Sequence, residues 1–257
     1  MKLFIGGGFN LFHKDHRKFI EKSIGSFVNS YGNLDKLIIG LISDEALNKL
    51  KGESRPFFSY NWRKTDLENF LVDYNSEIVS CGTGINDFMK LDKDTSITLR
   101  SDHNYFRILS EMGYNINLVD SEDNLHTTDI IESLENAKTK SGCQMRSVGA
   151  LLIRSGVIVD EGYSGNGNCY TCEKKSSMDF LGYSSHIACK SIHAEQMALR
   201  NSQQGDDLLI TCSPCQMCAQ DILEKGIRRV VYTQKYYDTK PIEFLEQKGI
   251  SIRKVGL

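Results

Sequence analysis

His193-Ala194-Glu195 and, further on, Ser213-Pro214-Cys215-Gln216-Met217-Cys218 decide how the rest of the chain is read. One imidazole and two thiolates suit a tetrahedral zinc, and three protein ligands leave the fourth position for water. Water bound to such a metal ionises near neutral pH. Glu195, two residues from His193, is expected to carry its proton without being a ligand. A closed structural site would ask for a fourth Cys or His, which neither segment supplies, and a redox dithiol would not need His193-Ala194-Glu195. Pro214 suits the first turn of a helix. Cys215 and Cys218 are then expected on one face of that turn, where the helix dipole favours thiolate.

Outward from this stretch, strand and helix periodicities alternate. Ser147–Ile153 reads as an apolar strand and Gly156–Tyr163 as its hairpin partner across Arg154-Ser155. Helices are expected at His193–Arg200, Cys215–Lys225 and Ile242–Lys248, with strands at Asp207–Thr211, Arg228–Thr233 and Ile250–Val255. Five strands with helices between them make an α/β sandwich around a mixed sheet. Both ligand segments would open helices just beyond strand ends, where α/β folds place their sites. The insert Asn166–Lys190 holds two further pairs, Cys169-x-x-Cys172 and His186-x-x-Cys189. Their spacing suits a second, closed zinc, whose binding would fold an otherwise polar loop.

The combination H-x-E…P-C-x-x-C resembles the zinc nucleobase deaminases. Over nearly the whole C-terminal half, the likeness is to the deoxycytidylate (dCMP) deaminase family. It rests on Ser141 and Cys143 before Val148-Gly149-Ala150, the turn at Gly162, Tyr163 and Gly165, the two ligand segments, and Val231-Tyr232 followed by Tyr236-Tyr237-Asp238. The resemblance implies a cytidine deaminase-like α/β/α sandwich and hydrolysis of a cytosine nucleotide, dCMP to dUMP. His193, Cys215 and Cys218 would hold the catalytic zinc, and Glu195 would take the water proton, protonate N3 and then the leaving ammonia. The family's turn carries an asparagine that meets the sugar. Here Ser164 occupies that place and Asn166 follows two residues on, so either can serve. Members with an H-C…G-C…H-C insert look similar and carry a second zinc, as Cys169, Cys172, His186 and Cys189 would.

The N-terminal half opens with an apolar strand, Lys2–Ile5, that runs into Gly6-Gly7-Gly8-Phe9-Asn10-Leu11-Phe12-His13-Lys14-Asp15-His16. Glycines allow backbone amides to approach a phosphate at the following helix N-terminus. This stretch is similar to G-x-F-D-x-x-H-x-G-H of the cytidylyltransferase-like nucleotidyltransferases. Three further stretches extend the likeness: Leu37–Ile42 with Ser43-Asp44-Glu45, Arg55-Pro56-Phe57 with Arg63, and Leu125-His126-Thr127-Thr128-Asp129-Ile130-Ile131. The resemblance implies a Rossmann-like domain that uses CTP or ATP with Mg2+, with His13, His16, Thr127 and Thr128 at the phosphates. Asp15 stands where the family has glycine and Asn10 where it has an acid, so a retained fold that only binds nucleotide is the alternative.

The expected organisation is therefore a nucleotidyltransferase-like domain at 1–135 and a zinc deaminase domain at 136–257. One amphipathic helix, Asp129–Lys140, stands at the join and can serve both. The expected function is deamination of a cytosine nucleotide, with an N-terminal nucleotidyltransferase-like domain; the alternatives are nucleotidyl transfer with an accessory deaminase, or an N-terminal nucleotide-sensing module that regulates the deaminase. The 257 residues are 40% hydrophobic and 25% charged, ordinary for globular protein. A net charge of −2 provides no basic field for nucleic acid, although Lys225, Arg228 and Arg229 could form a local patch. No apolar run approaches the roughly 18 residues of a membrane span, and Met1–Gly8 is too short and glycine-broken for a signal peptide. Six of the eight cysteines cluster between Cys169 and Cys218, which favours metal in a reducing cytoplasm over disulfides. The deaminase resemblance adds a small nucleotide substrate and a homo-oligomer.

Overall fold

The computed structural model describes residues 1–51, 56–100, 103, 105–120, 127–143, 146–165 and 191–256. The chain divides into two compact units, Met1–Thr127 and Thr128–Leu257.

The first unit contains β1 (Lys2–Gly7), α1 (Lys14–Tyr31), β2 (Lys36–Ile42), α2 (Asp44–Lys51), α3 (Tyr60–Phe70), β3 (Ser76–Cys81), a 3-10 segment at Ile85–Lys90, β4 (Thr95–Leu99), α4 (Phe106–Glu111) and β5 (Ile116–Leu118). Its strands are all parallel, in the order β3-β2-β1-β4-β5. This is a doubly wound, Rossmann-like sheet whose order reverses between β1 and β4, the place where such folds open a crevice. Parallel strands are covered on both faces, which is why Leu3, Phe4 and Ile5 are buried in succession. Leu3, Ile5, Leu37 and Ile39 pack with Ile20 and Phe27 on one side, while Phe4, Ile97 and Leu99 pack with Leu109 and Tyr114 on the other. Arg63, fully buried, joins the loops beyond β1 and β2. It donates to the carbonyls of Gly8 (2.5 Å), Ile42 (2.8 Å) and Phe58 (3.1 Å) and to the Asp44 carboxylate (2.7 Å).

The second unit carries α5 (Thr127–Thr139), which belongs to it from Thr128 onward, then β6 (Gly149–Arg154), β7 (Val157–Tyr163) and α6 (Ala194–Ala198) with a 3-10 turn at Leu199–Asn201. After these come β8 (Asp207–Cys212), α7 (Gln216–Glu224), β9 (Arg229–Gln234), α8 (Lys240–Gln247) and β10 (Ser251–Lys254). The order is β10-β9-β8-β6-β7, with β6 antiparallel to both its neighbours and the remaining pairs parallel. It is the mixed five-stranded sheet expected from the sequence. Ser155 and Gly156, at φ 50° and 76°, form the left-handed pair that a tight hairpin turn requires. Two glycines let helices lie directly on strands. A Cβ on Gly149 would come within 2.5 Å of the Lys138 amide nitrogen in α5, and one on Gly162 within 2.0 Å of the Ala194 carbonyl in α6. Among the described residues, no helix is long and apolar enough to cross a membrane.

Candidate functional site

His193 is the extended residue that caps α6, and its amide donates to the Gln196 side chain at 3.2 Å. Cys215 plays the same part for α7, with φ −78° and ψ 172°. The cysteine itself therefore caps, and Pro214 precedes the cap instead of sitting in the first helical turn. Cys218 follows within that turn, fully buried. Ser213 holds the approach: its amide donates to Gln234 and its hydroxyl accepts from the Tyr236 amide, both at 2.8 Å. Gln196 ties α6 to α7 by donating to Asp221 at 3.1 Å. The result brings His193 Nδ1 to 3.2 Å from Cys218 Sγ and 3.5 Å from Cys215 Sγ. The three donor atoms all lie within 4.8 Å of one another.

This nitrogen–sulfur set fits zinc, as does its charge state. The hydrogen bond from the Cys218 thiol holds Cys215 down to about 4, and the same bond, with burial, pushes Cys218 up. Both sulfurs would bind a divalent cation as thiolates, with release of their protons. Glu195, 5% exposed in the first turn of α6, is the carboxylate beside the donors. Burial pushes it up to about 7, so the group can carry or release a proton near neutrality.

Around the rim, the Arg146 guanidinium lies 4.6 Å over the Tyr236 ring, and its Nη1 is 3.3 Å from Cys212 Sγ. Neither residue was singled out for this role from the sequence, and only Tyr236 belonged to a recognisable motif. Ser164 has its hydrogen bonds inside the protein. Its hydroxyl donates to the Arg146 carbonyl (2.9 Å), accepts from the Val148 amide (3.0 Å) and meets Ser141 Oγ at 2.7 Å. Gly165 donates to the Ile192 carbonyl at 3.2 Å, so the described residues flanking 166–190 are neighbours. Asn166, Cys169, Cys172, His186 and Cys189 lie outside the described residues. Arg228 and Arg229, considered as a basic patch, both form two-pronged pairs with Asp207 at 2.8–3.1 Å.

In the first unit, His13 is 3% exposed and caps α1, its Nδ1 accepting from the Asp15 amide at 3.3 Å. His16 stands 4.0 Å away, centroid to centroid. Thr127 and Thr128 open α5, and their side chains are outside the described residues. A cavity of about 420 Å³ opens at the carboxyl ends of the parallel strands. Gly6-Gly7-Gly8 and Gly82-Thr83-Gly84 line it together with Asp87, Arg100 and His103, and neither His13 nor His16 does. The second glycine stretch, coming directly after β3, was the sequence signal for this wall.

Fold and centre define the class: a two-unit α/β protein, one unit doubly wound and parallel, the other a mixed sandwich with a His–Cys–Cys centre and a buried carboxylate. The family model "Cytidine and deoxycytidylate deaminase zinc-binding region" matches residues 125–234, and "Cytidylyltransferase-like" matches residues 4–145. Both matches include α5. Deoxycytidylate deaminase of Mycobacterium phage D29 is 32% identical over 111 residues, covering 38% of this chain and 87% of the phage protein. Its counterpart in Saccharomyces cerevisiae is 30% identical over 133 residues, covering 46% of this chain and 41% of that protein. "Bifunctional protein HldE" of Campylobacter jejuni is 31% identical over 137 residues, covering 53% of this chain and 28% of that protein. The chain belongs to the cytidine and deoxycytidylate deaminase family in its C-terminal half and to the cytidylyltransferase-like family in its N-terminal half. It spans about two fifths of the length of the fungal deaminases it matches, 41% and 42%.

Proposed function

We propose that the second unit is a zinc-dependent hydrolase that converts dCMP to dUMP and ammonia. The observation that carries this reading is the convergence of His193 Nδ1, Cys215 Sγ and Cys218 Sγ beside buried Glu195. Held by these three donors, zinc would supply a polarised water near neutral pH. Glu195 takes the proton of that water and delivers it to N3 of the cytosine ring. With the C4–O bond formed in that first step, Glu195 then moves the proton of the new C4 hydroxyl to the amine, so that C4=O forms as the C4–N4 bond breaks and ammonia leaves. Burial raises its carboxyl pKa and so favours its holding the proton between the two transfers. The direct test is turnover of dCMP, followed by absorbance, with zinc content measured on the same sample. Removal of zinc by a chelator is expected to abolish turnover and its return to restore it; turnover that survives chelation rejects the reading.

Arg146 supports a nucleotide over a nucleoside. Its cationic group at the rim, oriented by Tyr236, suits a 5′-phosphate. Arg146→Ala is expected to raise KM for dCMP about tenfold or more while changing deoxycytidine turnover little. Equal losses on both substrates would remove the phosphate assignment. The Ser164 hydroxyl bonds within the protein, which favours Asn166 over Ser164 as the proposed sugar contact.

A second zinc on Cys169, Cys172, His186 and Cys189 belongs to the same proposal. The wild-type chain should contain two zinc ions and His186→Ala one, by atomic absorption; a wild-type ratio of one rejects the second site. The five described cysteines are all free, which suits a cytoplasmic protein, and a homo-oligomer is proposed from the family resemblance. A second reading gives the first unit nucleotidyl transfer from CTP or ATP with Mg2+, through His13, His16, Thr127 and Thr128. The doubly wound parallel sheet favours it. A third reading makes the same unit a nucleotide sensor.

A further inference from the structure

We propose that Gln196 is a positioning residue for the metal centre, its side-chain amide setting the separation of His193 on α6 from Cys218 on α7. The inference rests on the reading of His193, Cys215 and Cys218 as zinc ligands. His193 and Cys218 lie 25 residues apart in the chain, at the starts of two different helices, and one ion has to reach both. Each helix has its own attachment. α6 lies on β7 at Gly162, where a Cβ would come within 2.0 Å of the Ala194 carbonyl. The approach to α7 is held by Ser213, through Gln234 and the Tyr236 amide. Neither of these attachments runs from α6 to α7.

Gln196 does. Its Oε1 accepts the His193 amide at 3.2 Å, and its Nε2 donates to Asp221 Oδ2 at 3.1 Å. A backbone N–H can only donate and an ionised carboxylate can only accept, so the two partners dictate which way the amide is turned. His193 is the extended residue before a helix of only five residues, Ala194–Ala198. The amide of such a residue has no partner within the helix. Gln196 supplies one and so fixes the backbone from which the imidazole projects. At the other end of the bridge, Asp221 follows Cys218 by three residues in α7 and is its neighbour on the helix surface. A glutamate at position 196 would still accept from His193 but would repel Asp221, so the bridge needs a side chain with both a donor and an acceptor.

The test is competition for zinc between the full chain and a chelator, counting only the zinc whose removal abolishes dCMP turnover. Gln196→Ala, Asp221→Ala and Gln196→Glu should each weaken zinc binding about 10–100-fold. Asp221→Asn keeps an acceptor for Gln196 and should bind zinc much as wild type does. Gln196→Glu combined with Asp221→Asn exchanges donor and acceptor across the bridge, and should recover most of the affinity lost in Gln196→Glu alone. Circular dichroism establishes that each variant is folded; should the alanine variants fail to fold, Gln196→Glu with and without Asp221→Asn carries the test. A role in folding alone would lower the melting temperature of the zinc-free chain and leave zinc affinity at the wild-type value, which would overturn the proposal. A double variant as weak as Gln196→Glu would overturn it too. Wild-type dCMP turnover that survives zinc removal rejects the zinc reading itself, a result distinct from a working centre that Gln196 does not affect.

Discussion

Glu195→Gln is expected to lower dCMP turnover about 10²–10⁴-fold or more while zinc remains bound at wild-type stoichiometry. Glutamine keeps the shape and length of the side chain, so the first turn of α6 and the donor His193 at its cap should hold their places. What the amide lacks is a site that accepts a proton from water and then gives it up. Glu195 is buried and interacts with His193, Cys215 and Cys218. Loss should therefore appear in kcat far more than in KM. Zinc and turnover need to be measured on the same preparation. If zinc is lost with activity, Glu195 is a ligand; if turnover survives, the proton is carried elsewhere.

The centre was legible because its chemistry is local. His193 with Glu195, and Cys215 with Cys218, each occupy a few residues, and strand–helix alternation around them reproduces β6 to β10 within about two residues. The first unit was less open to reading. Leu37–Ile42 is an apolar run and was found, whereas β4 is Thr-Ser-Ile-Thr-Leu, whose hydroxyls disguise a strand buried at every position. Thr98 of that strand accepts from Asn117 at 3.2 Å, a pairing between positions 19 residues apart that periodicity cannot disclose. The cavity was hidden for the same reason, since Gly6, Gly82, Arg100 and His103 meet only after four strands align. Side-chain direction was also out of reach. The Ser164 hydroxyl turns inward to Arg146 and Val148, a direction that its place in the chain does not disclose. Arg63 matched a motif arginine and proves to brace three backbone carbonyls.

Asp207→Ala should destabilise the second unit by about 3–5 kcal/mol, the usual effect of stranding a buried charge. Asp207 is 1% exposed at the start of β8, the strand that leads into Ser213–Cys218. Both carboxylate oxygens accept from Arg229 at 2.8 Å and from Arg228 at 2.9 and 3.1 Å. Arg229, 5% exposed and opposite Asp207 in the β8–β9 register, loses this two-pronged pair in the variant. The Arg228 side chain is 38% exposed, so Arg228→Ala should cost no more than about 1 kcal/mol. The double variant Asp207→Ala, Arg229→Leu separates charge from packing. Removing both members of the buried pair takes away the charge along with its counter-charge, so most of the lost stability should return. Denaturation followed by circular dichroism reads these differences. Trp62, the single tryptophan, lies in the first unit and provides a reference signal from outside the altered sheet. If the double variant is as unstable as Asp207→Ala, the loss arises from packing at the start of β8, and the charge pair is not what holds the strand.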